Sequence, residues 1–172
     1  MTVRMADEAR QRMAQDDIDG NFQPSLAATR AKSAPLPPSL TVWTGYLLGR
    51  AARLCRDYFD ALVEPLGIHG RHFSVLAVLG EEKPVSQVEM GERLGIDRNT
   101  MTLLLDDLEA RSLVTRRRDP RDRRAHLVSL TDAGRDVLVQ STALARRTNE
   151  EVFAPLSADE RAQLHELLGR LL

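Results

Sequence analysis

Cysteine is nearly missing from this sequence: Cys55 stands alone in 172 residues. A single thiol excludes an intrachain disulfide and a multi-cysteine metal site, and it fits a reducing compartment. Aromatic residues make up only 4%, with one Trp and two Tyr. The core must therefore be built from Leu, Val, Ala and Met, a composition that leans helical. No apolar run reaches the ~18 residues needed to cross a bilayer. The opening MTVRMADEARQRMAQDDIDG lacks the apolar stretch of a secretory signal, so the expected location is cytoplasmic, with no membrane partner. Signatures of hydrolases, P-loop enzymes, zinc peptidases and dinucleotide binders are also missing. The expectation is a non-enzyme without cofactor or metal.

Net charge is close to absent too, at -1, but that total hides an asymmetry. Residues 111–124 hold seven Arg and two Asp, a balance of +5, so the remainder sums to -6. A basic patch on an acidic body decides partner choice more than the total does. Within TRRRDPRDRRAHLVSLT the arginines are interrupted by Asp119-Pro120, which is turn chemistry.

Along the chain, residues 1–38 differ from the rest. They are polar and end in AKSAPLPPSL, where Pro35, Pro37 and Pro38 prevent a continuous helix. They read as an arm, with a short helix at Met5 to Ala14. Trp43, Leu47, Ala51, Leu54, Tyr58 and Leu62 recur at three- and four-residue steps and predict a helix from about Leu40 to Val63. Pro65 and Gly67 end it, and HFSVLAVLGEEK (72–83) reads as a shorter, more buried helix.

Ser86 with Glu89 forms an S-x-x-E signature that starts a helix reaching Leu94. Gly95 supplies a turn, and Asp97 caps a second helix, Arg98 to Arg111. Helix, tight glycine turn, helix is a helix-turn-helix pattern. Met101, Leu104, Leu105 and Leu108 share the core face of the second helix, while Asn99, Leu103 and Asp106 lie opposite, flanked by Thr100 and Thr102. The runs LVTRRR and AHLVSL then predict two strands joined by DPRDRR, a hairpin with a basic tip. Thr131 caps a helix to about Val152, and Ser157 with Glu160 starts a last helix striped by Leu164, Leu167, Leu168 and Leu171.

The expected fold is mainly α with a small β-hairpin wing, a winged helix-turn-helix. Such a pattern suits double-stranded DNA. Arginines displace counterions from the phosphate backbone, and one at a hairpin tip enters the minor groove. The second helix places its N-terminal side chains on major-groove base edges. Asn99 suits adenine, Arg98 guanine or phosphate, and Thr100 and Thr102 phosphate or a thymine methyl. The rival reading of the arginine run is a merely solvated face.

LGIDRNTMTLLLDDLEARSLVTRR (94–117) and DPRDRRAHLVSLTDAG (119–134) resemble the multiple antibiotic resistance regulator (MarR) family of bacterial transcription factors. The resemblance in element order runs from about residue 40 to the end; residues 1–38 lie outside it. It implies a wing in which Asp122 orients Arg124 while Arg124 or Arg123 enters the minor groove, with Arg121 beside them. It also places Arg98, Asn99, Thr100 and Thr102 at recognition-helix contacts. Leu103 departs from the family, where Arg or Lys is common; a leucine there meets a thymine methyl instead.

The resemblance further implies a MarR-like domain over 39–172. Its winged core spans about 68–130, and its dimerisation helices about 40–64 and 131–172. The homodimer would sit on a pseudo-palindromic operator, as a repressor released by a small aromatic or anionic effector. The alternative for the two leucine stripes is ordinary core. Effector-site candidates are Trp43, Tyr46, His69, Arg71 and His72, each with a plainer role in core or solvent. Cys55 is either a redox sensor or a small buried apolar group. The other functional readings are a ligand-independent architectural DNA- or RNA-binding module and a Cys55-based redox regulator.

Overall fold

The computed structural model describes residues 24–81, 84–118 and 126–172. The expected helix at Met5 to Ala14 and the wing tip at 119–125 lie outside these residues. Eight α-helices, one 3-10 turn and three strands follow one another among the described residues. They are α1 (Leu26–Ala31), α2 (Pro38–Thr41), α3 (Thr44–Val63), α4 (Gly70–Leu79), β1 (Val85–Ser86), α5 (Gln87–Leu94), α6 (Arg98–Ala110), β2 (Val114–Arg118), β3 (His126–Leu130), α7 (Asp132–Val152) and α8 (Ala158–Gly169).

The main core lies between α4, α5, α6 and the sheet. Val75, Leu76, Met90, Met101, Leu105, Leu108 and Val128 are fully enclosed there. All four core-face positions expected on α6 are buried. The sheet runs β1-β3-β2, antiparallel throughout, with Val85 opposite Val128, and Val114 opposite Leu130. The hairpin follows the sequence expectation; β1 does not, because two residues are too short for a periodic signal. The adjacent Leu127 and Val128 part company as pleating requires: Val128 is buried and Leu127 half-buried.

Local chemistry sets the element ends. Ser86 Oγ accepts from the Glu89 amide at 3.1 Å, and Gly95 closes α5 in the left-handed region at φ 62°. Asp97 caps α6 by accepting from the amides of Asn99 and Thr100, both at 3.0 Å. Ser157 and Glu160 form a complete capping box on α8.

Two expectations are corrected. The long helix begins at Thr44 rather than Leu40, because Trp43 has extended backbone (φ -98°, ψ 111°) and separates α3 from the turn of α2. The helix at 72–83 instead spans Gly70–Leu79 and stops at Gly80. The later part of the expected arm also carries structure. Leu26 of α1 packs against the second core cluster of Tyr58, Leu62 and Val152, and Arg50 donates to the Ala34 carbonyl at 2.7 Å.

The stripe on α3 changes character along its length. Tyr58 and Leu62 are buried within the subunit, whereas Leu47 and Trp43 are 40% and 65% exposed. The C-terminal stripe is likewise bare at Leu167 and Leu171, and α8 buries no residue. No helix among the described residues is long and apolar enough to cross a membrane.

Candidate nucleic-acid interface and effector cleft

The outer face of α6 presents Arg98, Asn99, Leu103 and Asp106 to solvent. Thr100 and Thr102 are half-buried, and their hydroxyls are engaged. Thr100 Oγ1 donates to Asp97 at 2.6 Å, which holds the Asp97 carboxyl below its ordinary range together with the capping amides. Thr102 Oγ1 donates to the Arg98 carbonyl at 2.8 Å and accepts from Gln87 Nε2 at 2.6 Å. That last bond fastens the start of α5 to the start of α6.

The six arginines of the basic run do not act alike. Arg116 turns back onto α6: its guanidinium lies 2.5 Å from Asp106 and 3.5 Å from Glu109, and its amide donates to Glu109 at 3.3 Å. It is a brace between wing and helix, a role the sequence reading did not assign to it. Arg117 and Arg118, next in β2, are exposed. Arg121, Asp122, Arg123 and Arg124 lie outside the described residues.

Behind the helix-turn-helix, α3, α4 and α7 enclose an open cleft of about 720 Å³. Phe59 and Phe73 meet edge to face in its wall, ring centroids 5.1 Å apart. Arg56, His69 and Arg71 stand at its exposed rim. Asp60 is committed, accepting from the Gly70 amide at 2.6 Å.

The five candidates for an effector site are not brought together. His69 and Arg71 line the cleft. Trp43 and Tyr46 do not: Tyr46 sits nine residues before Cys55, roughly 13 Å up the helix axis. His72 is buried behind the wall, stacked on His69 with ring centroids 3.7 Å apart. Burial and the neighbouring His69 lower its pKa to about 4, so it is neutral near pH 7. Its Nε2 lies 3.2 Å from the Asp107 carboxylate on α6, which the Arg111 side chain holds below its usual range. Phe59, Phe73 and Arg56 were missed, because three elements far apart in sequence meet only after folding. Cys55 lines the cleft, but burial pushes its thiol pKa up, away from the thiolate that oxidants attack.

The sequence profile described as the MarR family matches residues 66–125. Among solved structures, the transcriptional repressor CouR bound to a 23-mer DNA duplex is 34% identical, with a TM-score of 0.74 over 81% of this chain and 99% of that one. The chain belongs to the MarR family. PcaV, a transcriptional regulator from Streptomyces coelicolor solved with its natural ligand, is 31% identical, with a TM-score of 0.66 over 81% of this chain and 96% of that one. YdgJ of Bacillus subtilis, described as an uncharacterized HTH-type transcriptional regulator, is 35% identical over 105 residues; these are 61% of this chain and 64% of YdgJ, just under two thirds of that relative's length. Membership agrees with the geometry: the profile covers α4 through the start of the wing, the segment that carries the exposed face of α6.

Proposed function

We propose that this chain is a sequence-specific, double-stranded-DNA-binding transcriptional regulator that acts as a homodimeric repressor. The observation that carries the reading is the exposed N-terminal turn of α6, with Arg98 and Asn99 outward, together with the exposed Arg117 and Arg118 of β2. Arg98 and Asn99 offer the donors that guanine and adenine edges accept. The arginines supply sequence-independent attraction to phosphate, and Arg121, Arg123 and Arg124 continue that charge to the hairpin tip. CouR, similar over most of this chain, carries DNA in its structure.

The bare apolar residues at both ends favour a second copy of the chain. Trp43, Leu47, Val139, Leu167 and Leu171 are all at least 40% exposed, on α3, α7, α8 and the residues beside them. Two-fold pairing would set two α6 helices about one DNA turn, ~34–36 Å, apart on a pseudo-palindrome. The cleft suits a small aromatic carboxylate: Phe59 and Phe73 wall it, and Arg56 and Arg71 offer cations at the rim. Such a ligand would release the protein from its operator.

Selection of bound duplex fragments from the source genome tests this reading. The recovered sequence is expected to compete ~10³-fold or more better than random duplex. Equal competition by random duplex would replace the regulator with an architectural binder.

A further inference from the structure

The recognition helix carries a leucine where a DNA-facing surface has no obvious use for one. Leu103 is 70% exposed and belongs to the face opposite the buried Met101, Leu104, Leu105 and Leu108. An isolated exposed leucine needs no explanation on most surfaces. On α6 its neighbours single it out.

One turn before it, Asn99 is exposed with its side chain free of any hydrogen bond among the described residues. One turn after it, the Asp106 carboxylate is taken by Arg116 at 2.5 Å. Beside it, the Thr102 hydroxyl donates its proton to the Arg98 carbonyl and accepts from Gln87 Nε2. Thr100 gives its only hydroxyl proton to Asp97. Asn99 apart, the polar side chains flanking Leu103 already have protein partners, and the side chain at the middle of the outward face is a branched alkyl group. Its one apolar counterpart among major-groove edges is the C5-methyl group of a pyrimidine, which in ordinary DNA belongs to thymine.

We propose that Leu103 is a specificity residue that packs against a pyrimidine C5-methyl group, that of thymine, in each half-site. This deepens the DNA-binding reading and rests on it. Arg116 contributes indirectly by offsetting part of the negative charge of Asp106 and Glu109, which would otherwise repel phosphate more strongly. Thymine is favoured here without any hydrogen bond to its edge, so the preference follows the methyl group rather than the pairing face.

The test starts from duplexes selected by the full chain out of a random-sequence pool. At each pyrimidine of the selected half-site, four duplexes carry thymine, uracil, cytosine or 5-methylcytosine. At one position the wild type is expected to bind thymine over uracil, and 5-methylcytosine over cytosine, by about fourfold each, the value of one buried methyl-sized group. Leu103→Ala is expected to lose both ratios while selecting the same bases elsewhere, and to unfold at the wild-type temperature because the side chain is exposed. Ratios near one at every pyrimidine in the wild type would overturn the assignment while leaving DNA recognition standing. Ratios that survive in Leu103→Ala would assign the methyl contact to another residue. A pool that yields no shared sequence would overturn the regulator reading and this assignment together.

Discussion

At Gly134 the first turn of α7 passes so close to the wing root that a Cβ would lie 2.0 Å from the Leu113 carbonyl oxygen. Thr131 shapes this approach. Its Oγ1 donates to the Ser112 carbonyl at 2.7 Å and accepts from the Gly134 amide at 2.9 Å. Together they fasten the junction of β3 and α7 to the residue that follows the C-cap of α6. Gly134→Ala is expected to cost ~1–3 kcal/mol through overpacking, seen as a lower midpoint in a thermal melt. An unchanged midpoint would mean the turn relaxes freely. Thr131 and Gly134 were legible as parts of a pattern, but the carbonyl that forbids a side chain was not, since it belongs to a residue 21 positions earlier. Arg116 makes the same point about charge. A run of arginines reads as uniform, yet strand pleating places Arg116 on the same side as the buried Val114, and there it meets Asp106 and Glu109. That alternation was available in the sequence; the acidic partners one helix earlier were visible only as polar positions.

Among the elements, α4 and α6 are joined by a polar contact, buried on its His72 side and half-exposed at Asp107, that the helix patterns do not reveal. His72 lies within α4, neutral, with Nε2 near Asp107 and with Nδ1 lacking a partner among the described residues. Its folded pKa of about 4 lies below the ordinary 6.5, so the unfolded chain takes up the proton first as pH falls. The contribution is intact above pH 6.5 and is lost progressively from there towards pH 4, by up to ~3 kcal/mol. Asp107, whose pKa is also lowered, loses its contribution at the acid end with the same sign. Thermal midpoints of the wild type are therefore expected to drop between pH 6.5 and 4.5, and His72→Gln should flatten most of that slope. An equal slope in the variant would move the acid sensitivity elsewhere. The caps of α5, α6, α7 and α8 were all legible, because each rests on a side chain within three residues of the amide it serves. The start of α3 was not, because the apolar stripe continues through Trp43 while the backbone there turns extended.

At the scale of the whole molecule, a near-neutral chain separates its tasks by surface. β2 and the exposed edge of α6 carry the basic surface, α3 and α8 carry the bare leucines, and the cleft lies between α3, α4 and α7. Both surfaces could be read from charge runs and apolar stripes. The cleft could not, since Phe59, Phe73 and Asn149 come from three helices with no shared motif. In the proposed function the hairpin arginines hold phosphate while α6 reads bases. The direct measurement is affinity for the selected duplex across a salt series, for the wild type and for the chain with Arg121→Ala, Arg123→Ala and Arg124→Ala together. Weaker binding is expected, with a log–log slope shallower by roughly 0.9 for each phosphate contact removed and the thermal midpoint unchanged. The same affinity and the same slope in a folded variant would contradict it.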